Sequence, residues 1–101
     1  MADERTQNSI SIVIPAYNEE GNIEEVVLRS LDALRSLTDR YEILVMDDAS
    51  QDRTGEILEG LAEKVPGLLR VFRHQKNTGT IICLRELFRE ARCDLVFFLL
   101  S

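Results

Sequence analysis

Apolar and polar positions along the chain fall into seven alternating segments, and their spacing predicts the secondary structure. Four short apolar segments cover residues 9–14, 41–46, 68–73 and 95–100, and their β-branched and aromatic residues are typical of strands. Between them, apolar residues recur at three- and four-residue steps, first over about residues 23–37, then from Ile57 to Val65 and from Ile81 to Ala91. That period indicates helices with one buried face, so the predicted order is βαβαβαβ.

The second apolar segment indicates how these elements are arranged. It is nearly continuous in apolar residues from Ile43 to Met46, which is typical of a strand buried on both faces of a parallel sheet. Strands that alternate with helices are joined by right-handed crossovers. We therefore predict an α/β fold, with an open, mainly parallel twisted sheet and helices on both faces. Pro15 is expected to end the first strand, and Asp52 to cap the second helix.

Polar residues follow the first two strands directly. Residues 16–20 come after the first strand, and the adjacent carboxylates Asp47 and Asp48 follow the second. In an open parallel sheet, ligands bind beyond the carboxyl ends of the strands. Neighbouring side chains on a strand point to opposite faces, so one carboxylate can brace the loop while the other faces the crevice. Loop capping by both carboxylates is the alternative.

Composition restricts the function classes. The 101-residue chain is 45% hydrophobic and 30% charged with a net charge of −6, which predicts a soluble globular protein without a nucleic-acid or anionic-membrane partner. The two cysteines, Cys83 and Cys93, are interpreted as core thiols in a reducing, cytoplasmic compartment. With one histidine, His74, expected in a solvated loop, zinc ligation is not predicted.

Several nucleotide-binding and catalytic motifs are absent from the sequence. There is no GxGxxG after the first strand, no GxxxxGK[ST] and no serine nucleophile elbow. Basic residues near the third strand, namely Arg73, Lys76 and Arg85, are candidates for contact with phosphate and equally for exposure to solvent. An acidic pair after the second strand also argues against a phospho-acceptor receiver domain.

Two motifs together resemble a known family. Residues 11–20, SIVIPAYNEE, and residues 43–54, ILVMDDASQDRT, are similar to the start of family 2 glycosyltransferases of the GT-A fold, in particular polyprenyl-phosphate and dolichyl-phosphate sugar transferases. The resemblance extends over about residues 9–101 and implies the strand order 3-2-1-4. It also implies a UDP- or GDP-linked sugar donor, a divalent Mg²⁺ or Mn²⁺ ion and an acceptor such as a polyprenyl phosphate.

The resemblance also implies roles for individual residues. Tyr17 would lie against the nucleobase, Glu19 would reach toward the nucleoside, and Asp48 would contact base or ribose. Residues near the base and the phosphates would follow in the third segment. The nucleotide-binding set implied in this way comprises Pro15, Ala16, Tyr17, Glu19, Asp47, Asp48, Asn77, Gly79 and Arg85.

The sequence departs from the family pattern in two places. Ile81, Leu87 and Cys93 stand where the third segment is typically rich in glycine, and Leu100 stands at the first position of the family's Asp-x-Asp metal motif. The metal ligand and catalytic base would lie beyond Ser101. We therefore expect a flexible terminus over residues 1–8 and, over residues 9–101, a truncated nucleotide-sugar-binding portion that is inactive alone.

Two further expectations depend on this interpretation. Exposed apolar residues near the end of the chain predict self-association, and the full-length protein is expected to be cytoplasmic or membrane-associated. The alternative function is a non-catalytic α/β interaction module with a degraded nucleotide site.

Overall fold

A computed structural model of the protein describes residues 5–100. It contains four strands and three helices in strict alternation, as the hydrophobic pattern predicts. Their bounds are β1 Ile10–Ala16, α1 Ile23–Leu37, β2 Tyr41–Asp47, α2 Thr54–Lys64, β3 Leu69–Arg73, α3 Thr80–Glu90 and β4 Leu95–Phe98.

The four strands form one sheet in the order β3-β2-β1-β4, and every neighbouring pair is parallel. In the register of the central pair, Ile14 lies opposite Val45, and Ala16 lies opposite Asp47. The predicted strand order and strand direction are both confirmed. The carboxyl ends of β1, β2 and β3 therefore lie along one edge of the sheet.

Helices cover both faces of the sheet, as predicted, and each face has its own apolar core. On one face, α1 and α2 pack through residues such as Val27 and Leu58 against Ile14 and Val45. On the other face, α3 packs through Cys83 and Leu87 against a smaller set that includes Leu44. Since strand side chains alternate between faces, odd and even positions of β2 belong to different cores.

The expectation that Pro15 ends the first strand is wrong, because β1 continues to Ala16. The Val13 carbonyl accepts a hydrogen bond from the Leu99 N–H, so the backbone of Val13 faces β4, and Pro15 lies on the same side of β1 two residues later. β4 ends at Phe98, opposite Val13. No ladder hydrogen bond is therefore required from the nitrogen of position 15, and proline is tolerated there.

The fourth strand is shorter than the apolar segment that predicted it. It ends at Phe98, while Leu99 and Leu100 continue without strand structure. Phe97, Phe98 and Leu100 are all more than half exposed. This sheet edge and the neighbouring exposed side chains of α3 form an uncovered apolar surface.

Residues 5–8, part of the terminus expected to be flexible, contact the α1–β2 connection. The Thr6 N–H donates to the Leu37 carbonyl over 2.8 Å, and the Thr38 hydroxyl donates to the Asn8 carbonyl over 2.8 Å. Residues 1–4 lie outside the described residues. Among residues 5–100, no helix is long and apolar enough to span a bilayer.

Candidate functional site

Three strand-to-helix turns meet at the carboxyl edge of the sheet. They cover residues 17–22 after β1, residues 48–53 after β2 and residues 74–79 after β3. The Asp48 N–H donates to the Ala16 carbonyl over 2.9 Å. The hydrogen bonding between β1 and β2 therefore continues to the first residues of both turns, which keeps the two turns side by side. The Tyr17 turn and the Asp48 turn thus lie at the same edge of a parallel sheet, as the resemblance requires.

Side chains and backbone groups tie the first two turns together in both directions. The Asn18 N–H donates to the Ser50 hydroxyl over 2.9 Å, and the Gln51 N–H donates back to Asn18 Oδ1 over 2.8 Å. The Glu19 N–H donates to Thr54 Oγ1 over 2.8 Å. These bonds satisfy three backbone N–H groups of the turns, and they hold both turns in one arrangement.

Each of the three turns contains a residue in the left-handed region of backbone conformation. These residues are Asn18 with φ of 52°, Ala49 with φ of 65° and Gly79 with φ of 92°. Glycine and asparagine adopt such angles readily, but for alanine the conformation costs about 1–2 kcal/mol. Strain of this kind is maintained only where the surroundings fix it, and it is concentrated at functional sites.

The adjacent carboxylates Asp47 and Asp48 point to opposite faces, as predicted, and both are buried. Asp47 accepts the Ser50 N–H over 3.0 Å and lies 3.7 Å from Nε of Arg73. Its Oδ2 atom is buried without a hydrogen-bond partner. Asp47 therefore braces the second turn, and Asp48 is the member of the pair that borders a cavity.

Asp48 connects β2 to the third turn. Its carboxylate accepts the Thr78 N–H over 2.9 Å, the Gly79 N–H over 2.8 Å and the Thr78 hydroxyl over 2.9 Å, and it lies 2.8 Å from Nδ1 of His74. Burial raises the pKa of Asp48, but these hydrogen bonds outweigh burial and lower the pKa to about 2. Asp48 is thus a carboxylate at neutral pH and holds the third turn against the sheet.

His74 lies between two carboxylates rather than in solvent, so its predicted exposure is wrong. Its Nδ1 faces Asp48 and its Nε2 faces Glu86 of α3, and its side chain is only 15% exposed. The hydrogen bond to Asp48 raises the pKa of His74 against the effect of burial, and Glu86 raises it further. No spacing in the sequence indicates this contact, because Glu86 is twelve residues away on a helix.

Two cavities border these turns. The larger has a volume of about 780 Å³, within the range of small-molecule sites, and is lined by Tyr17, Ala49, Ser50, Gln51, Arg73, His74, Gln75, Lys76 and Asn77. The smaller has a volume of about 110 Å³ and is lined by Pro15, Ala16, Tyr17, Glu19, Asp48, Thr80 and Cys83. Tyr17 borders both cavities and is 43% exposed, so its ring is available to a ligand.

The structure brings most of the predicted nucleotide-binding residues to these cavities. Pro15, Ala16, Tyr17, Glu19 and Asp48 line the smaller one, and Asn77 lines the larger one. Gly79 contributes its N–H to Asp48, whereas Asp47 lies on the opposite face of the sheet.

Arg85, like Asp47 and Gly79, is a predicted site residue that lines neither cavity. It is exposed on α3, two residues from the buried Cys83 and two from the buried Leu87, and so faces away from the sheet. Its contact with a nucleotide stays a prediction.

Several lining residues were not predicted. Ser50 and Gln51 follow Asp48 directly, and the rule that ligands bind after strand ends could have identified them. Arg73 and Lys76, for which phosphate contact and solvent exposure were equally open, both line the larger cavity. Cys83, interpreted as a core thiol, is buried but also borders the smaller cavity, and burial together with the nearby Asp48 and Glu86 charges raises its pKa to about 11.

The described residues do not fit the hard divalent metal that the resemblance implies. Leu100, at the first position of the expected motif, has no ligand atom in its side chain, and Ser101 is not described. Within residues 5–100, one group of metal-ligating side chains converges, namely Asp48, His74 and Cys83. A thiol and an imidazole suit softer metals than Mg²⁺ or Mn²⁺.

Comparisons with known proteins agree with this geometry. The sequence model of the glycosyl transferase family 2 matches residues 11–99. An undecaprenyl-phosphate 4-deoxy-4-formamido-L-arabinose transferase of Edwardsiella ictaluri is 33% identical over 98% of this chain and 30% of its own length. A dolichol-phosphate mannosyltransferase of Pyrococcus furiosus is 41% identical over 85% of this chain and 23% of its own length.

A solved structure agrees as well. The mannosyltransferase PcManGT of Pyrobaculum calidifontis, in complex with GDP-mannose and Mn²⁺, superimposes with a TM-score of 0.79 and 28% identity over 93% of this chain and 27% of its own. The chain therefore spans about a quarter to a third of the length of the proteins it matches. With nearly all of its strands and turns matched, the chain belongs to glycosyl transferase family 2 and has part of the GT-A fold.

Proposed function

We propose that this chain is the nucleotide-sugar-binding part of a glycosyltransferase that transfers a sugar from a UDP- or GDP-linked donor to a polyprenyl phosphate. In that reaction, the bond between the sugar and the nucleoside diphosphate breaks and a bond to an acceptor oxygen forms. The relatives named as undecaprenyl-phosphate and dolichol-phosphate transferases support this class of acceptor. The GDP-mannose complex of the structural neighbour supports the class of donor.

The observation that carries the proposal is the meeting of the Tyr17 turn and the Asp48 turn at one edge of the sheet. The Asp48 N–H bonds to the Ala16 carbonyl, and the larger cavity opens beside both turns. This is the position at which open parallel sheets bind nucleotides. If the two turns lay at opposite edges of the sheet, they could not line one binding site.

The lining residues match the parts of a nucleoside diphosphate. The exposed ring of Tyr17 offers a surface on which a base can stack, and Ser50, Gln51 and Asn77 offer hydrogen-bonding groups for base or ribose. Arg73 and Lys76 supply positive charge for the diphosphate in a chain whose net charge is −6. Asp48 holds the third turn through its bonds to Thr78 and Gly79. Its direct contact with the base or ribose of the nucleotide is also part of the proposal.

The remaining components of the reaction are proposed to lie outside the described residues. The Mg²⁺ or Mn²⁺ ligands and the catalytic base are expected beyond Ser101. Since a polyprenyl phosphate resides in a bilayer, the complete enzyme is proposed to act at a membrane surface. The apolar edge formed by β4 and α3 is proposed to cause self-association of this chain when nothing covers it.

Isothermal titration of the folded chain with UDP, GDP, UDP-glucose and GDP-mannose, each with and without Mn²⁺, tests the function. We expect weak binding of one nucleotide class and no transfer of sugar. Replacing the stacking surface in Tyr17→Ala should weaken that binding by about 1–3 kcal/mol, or roughly 5- to 150-fold. Leu28→Ala is the matched control, since Leu28 is comparably exposed but lies on α1.

Two results would contradict the proposal. If the folded chain binds none of the nucleotides, the interaction-module alternative is favoured. If Leu28→Ala weakens binding as much as Tyr17→Ala does, the ligand does not stack in the cavity beside Tyr17. Circular dichroism of each variant establishes that a loss of binding is not a loss of folding.

A further inference from the structure

We infer that Asp48, His74 and Cys83, together with the Thr78 hydroxyl, form a binding site for a borderline divalent cation, best matched by Zn²⁺. The ligands come from three elements that the sequence separates: the end of β2, the turn after β3, and α3. Their ligand atoms lie within 4.8 Å of one another. The site is separate from the hard-metal motif that the family resemblance places after β4.

Five of the six distances between the four donor atoms are shorter than 4 Å, and the sixth, from the Asp48 carboxylate to the Cys83 sulfur, is within 4.8 Å. Nδ1 of His74 lies 2.8 Å from Oδ1 of Asp48, 3.0 Å from Oγ1 of Thr78 and 3.9 Å from Sγ of Cys83. Oγ1 of Thr78 lies 2.9 Å from Oδ1 of Asp48 and 3.8 Å from Sγ of Cys83. Ligand atoms around a tetrahedral zinc are about 3.3–3.8 Å apart, given Zn–O, Zn–N and Zn–S distances of about 2.0–2.3 Å. Small side-chain movements would therefore admit the ion.

Two of these ligands also have the outer partners that metal ligands usually have. Nε2 of His74 faces the carboxylate of Glu86, which fixes the ring with Nδ1 toward the site. Oδ2 of Asp48 accepts the N–H groups of Thr78 over 3.0 Å and Gly79 over 2.8 Å, so Oδ1 can turn to an ion while Oδ2 stays bonded. Both the outer carboxylate behind His74 and the second set of hydrogen bonds on Asp48 are features of metal ligands, and packing alone would require neither.

The site is also accessible, and its proton balance is simple. Asp48 and Cys83 both border the 110 Å³ cavity, which gives an ion a route to the buried thiol. On binding, the thiol of Cys83 and Nδ1 of His74 each give their proton to solvent, and the cation takes the place of those protons. No oxidant or reductant takes part. The set of one sulfur, one nitrogen and two oxygens favours Zn²⁺ or Co²⁺ over Mg²⁺ or Mn²⁺.

The test uses the metal-free chain, prepared with a chelator, in the absence of nucleotide. Titration with Co²⁺ should produce tetrahedral d–d bands and a thiolate-to-cobalt charge-transfer band, and Zn²⁺ should abolish both by displacement, whereas Mg²⁺ should not. Cys83→Ser should lose the charge-transfer band. Cys93→Ser is the matched control, because Cys93 bonds through its N–H to Ser11, roughly 16 Å along β1 from the site.

A second variant separates ligation from folding. Glu86→Gln keeps an acceptor for Nε2 but removes the charge behind His74, and it should weaken Zn²⁺ binding by about 10- to 100-fold without removing the charge-transfer band. If no Co²⁺ binds, if the band is absent, or if it survives in Cys83→Ser, the site does not exist and the cluster is only a hydrogen-bonded brace. Because no nucleotide is present, failure here leaves the proposed glycosyltransferase function intact.

Discussion

Two buried carboxylates at opposite ends of β2, Glu42 within it and Asp48 directly after it, show how position in the sheet decides the role of the same chemical group. Both lie on the face of β2 that α3 covers, roughly 20 Å apart along the strand. Both accept several hydrogen bonds, and the pKa of each is lowered despite burial. Burial, hydrogen bonding and pKa direction therefore do not distinguish the two carboxylates.

They differ in what encloses them. Glu42, at the amino end, accepts the Ser11 hydroxyl over 2.7 Å and the Arg92 N–H over 2.8 Å, and its Oε1 lies 3.3 Å from Nε of Arg70. The chain between α3 and β4 closes over it. Asp48, at the carboxyl end, borders an open cavity, because there the connections diverge toward helices on opposite faces. A buried carboxylate indicates a ligand site only at the open end.

The largest effect expected from this comparison is on stability at the closed end. Glu42→Ala removes the acceptor of the buried Ser11 hydroxyl and of the Arg92 N–H, and takes from the partly buried Arg70 one of its two acidic partners. It should lower the free energy of unfolding by about 3 kcal/mol. Urea denaturation measures it. Nucleotide affinity of the folded fraction should not change, and a change in affinity would contradict the separation of the two ends.

The second effect concerns acid stability at the open end. The pKa of Asp48 is about 2 in the folded chain, against 3.8 for the unperturbed group, so its contribution is complete above pH 3.8 and is lost as pH falls toward 2. The loss amounts to about 2 kcal/mol. In Asp48→Asn, the decline of unfolding free energy between pH 5 and pH 2 should be correspondingly shallower, with a remaining slope from Glu42, Asp52 and Asp94, whose hydrogen bonds also lower their pKa values. An unchanged slope would mean that Asp48 is not held as a carboxylate.

The smallest effect concerns Asp47, the carboxylate on the opposite face. A Cβ at Gly55 would lie 2.8 Å from Oδ2 of Asp47 and 3.0 Å from the Arg73 guanidinium, so Gly55→Ala should destabilise the chain by about 1 kcal/mol. Gly60, also in α2, has no atom within 4 Å of such a Cβ, and Gly60→Ala should stabilise by up to about 1 kcal/mol. Thermal unfolding should show a lower melting temperature for Gly55→Ala and a higher one for Gly60→Ala. A melting temperature of Gly55→Ala that is not lowered would mean that the contact between Asp47 and Arg73 contributes little to stability.

The fold was largely predictable because each element carries its own local pattern. The apolar period over residues 23–37 gave α1 with both bounds correct, and continuous hydrophobicity after Ile43 gave a strand buried on both faces. Boundaries failed where neighbouring strands decide them. β1 passes through Pro15 because β4 has ended beside it, and β4 stops short of Leu100 because Pro15 of β1 has no N–H with which to continue the ladder.

The candidate site was predictable only in part, because its members differ in how their positions are fixed. Tyr17, Glu19 and Asp48 follow strand ends, and a parallel sheet places all strand ends at one edge. His74 and Glu86 meet because the turn after β3 folds back over α3, and no spacing in the sequence encodes that contact.

By itself, the sequence determined the alternation of strands and helices, the burial of β2 and the polar turns after each strand, since these depend on residue type and local spacing. Only the tertiary structure decided which face of the sheet each polar residue shares with which helix. Packing of α3 against Leu44 brings Cys83 beside His74 and Asp48, so a buried thiol, an imidazole and a carboxylate from distant positions converge. This convergence depends on how α3 docks on the sheet. The docking is decided by the packing of many residues in the core, and no single segment of the sequence encodes it.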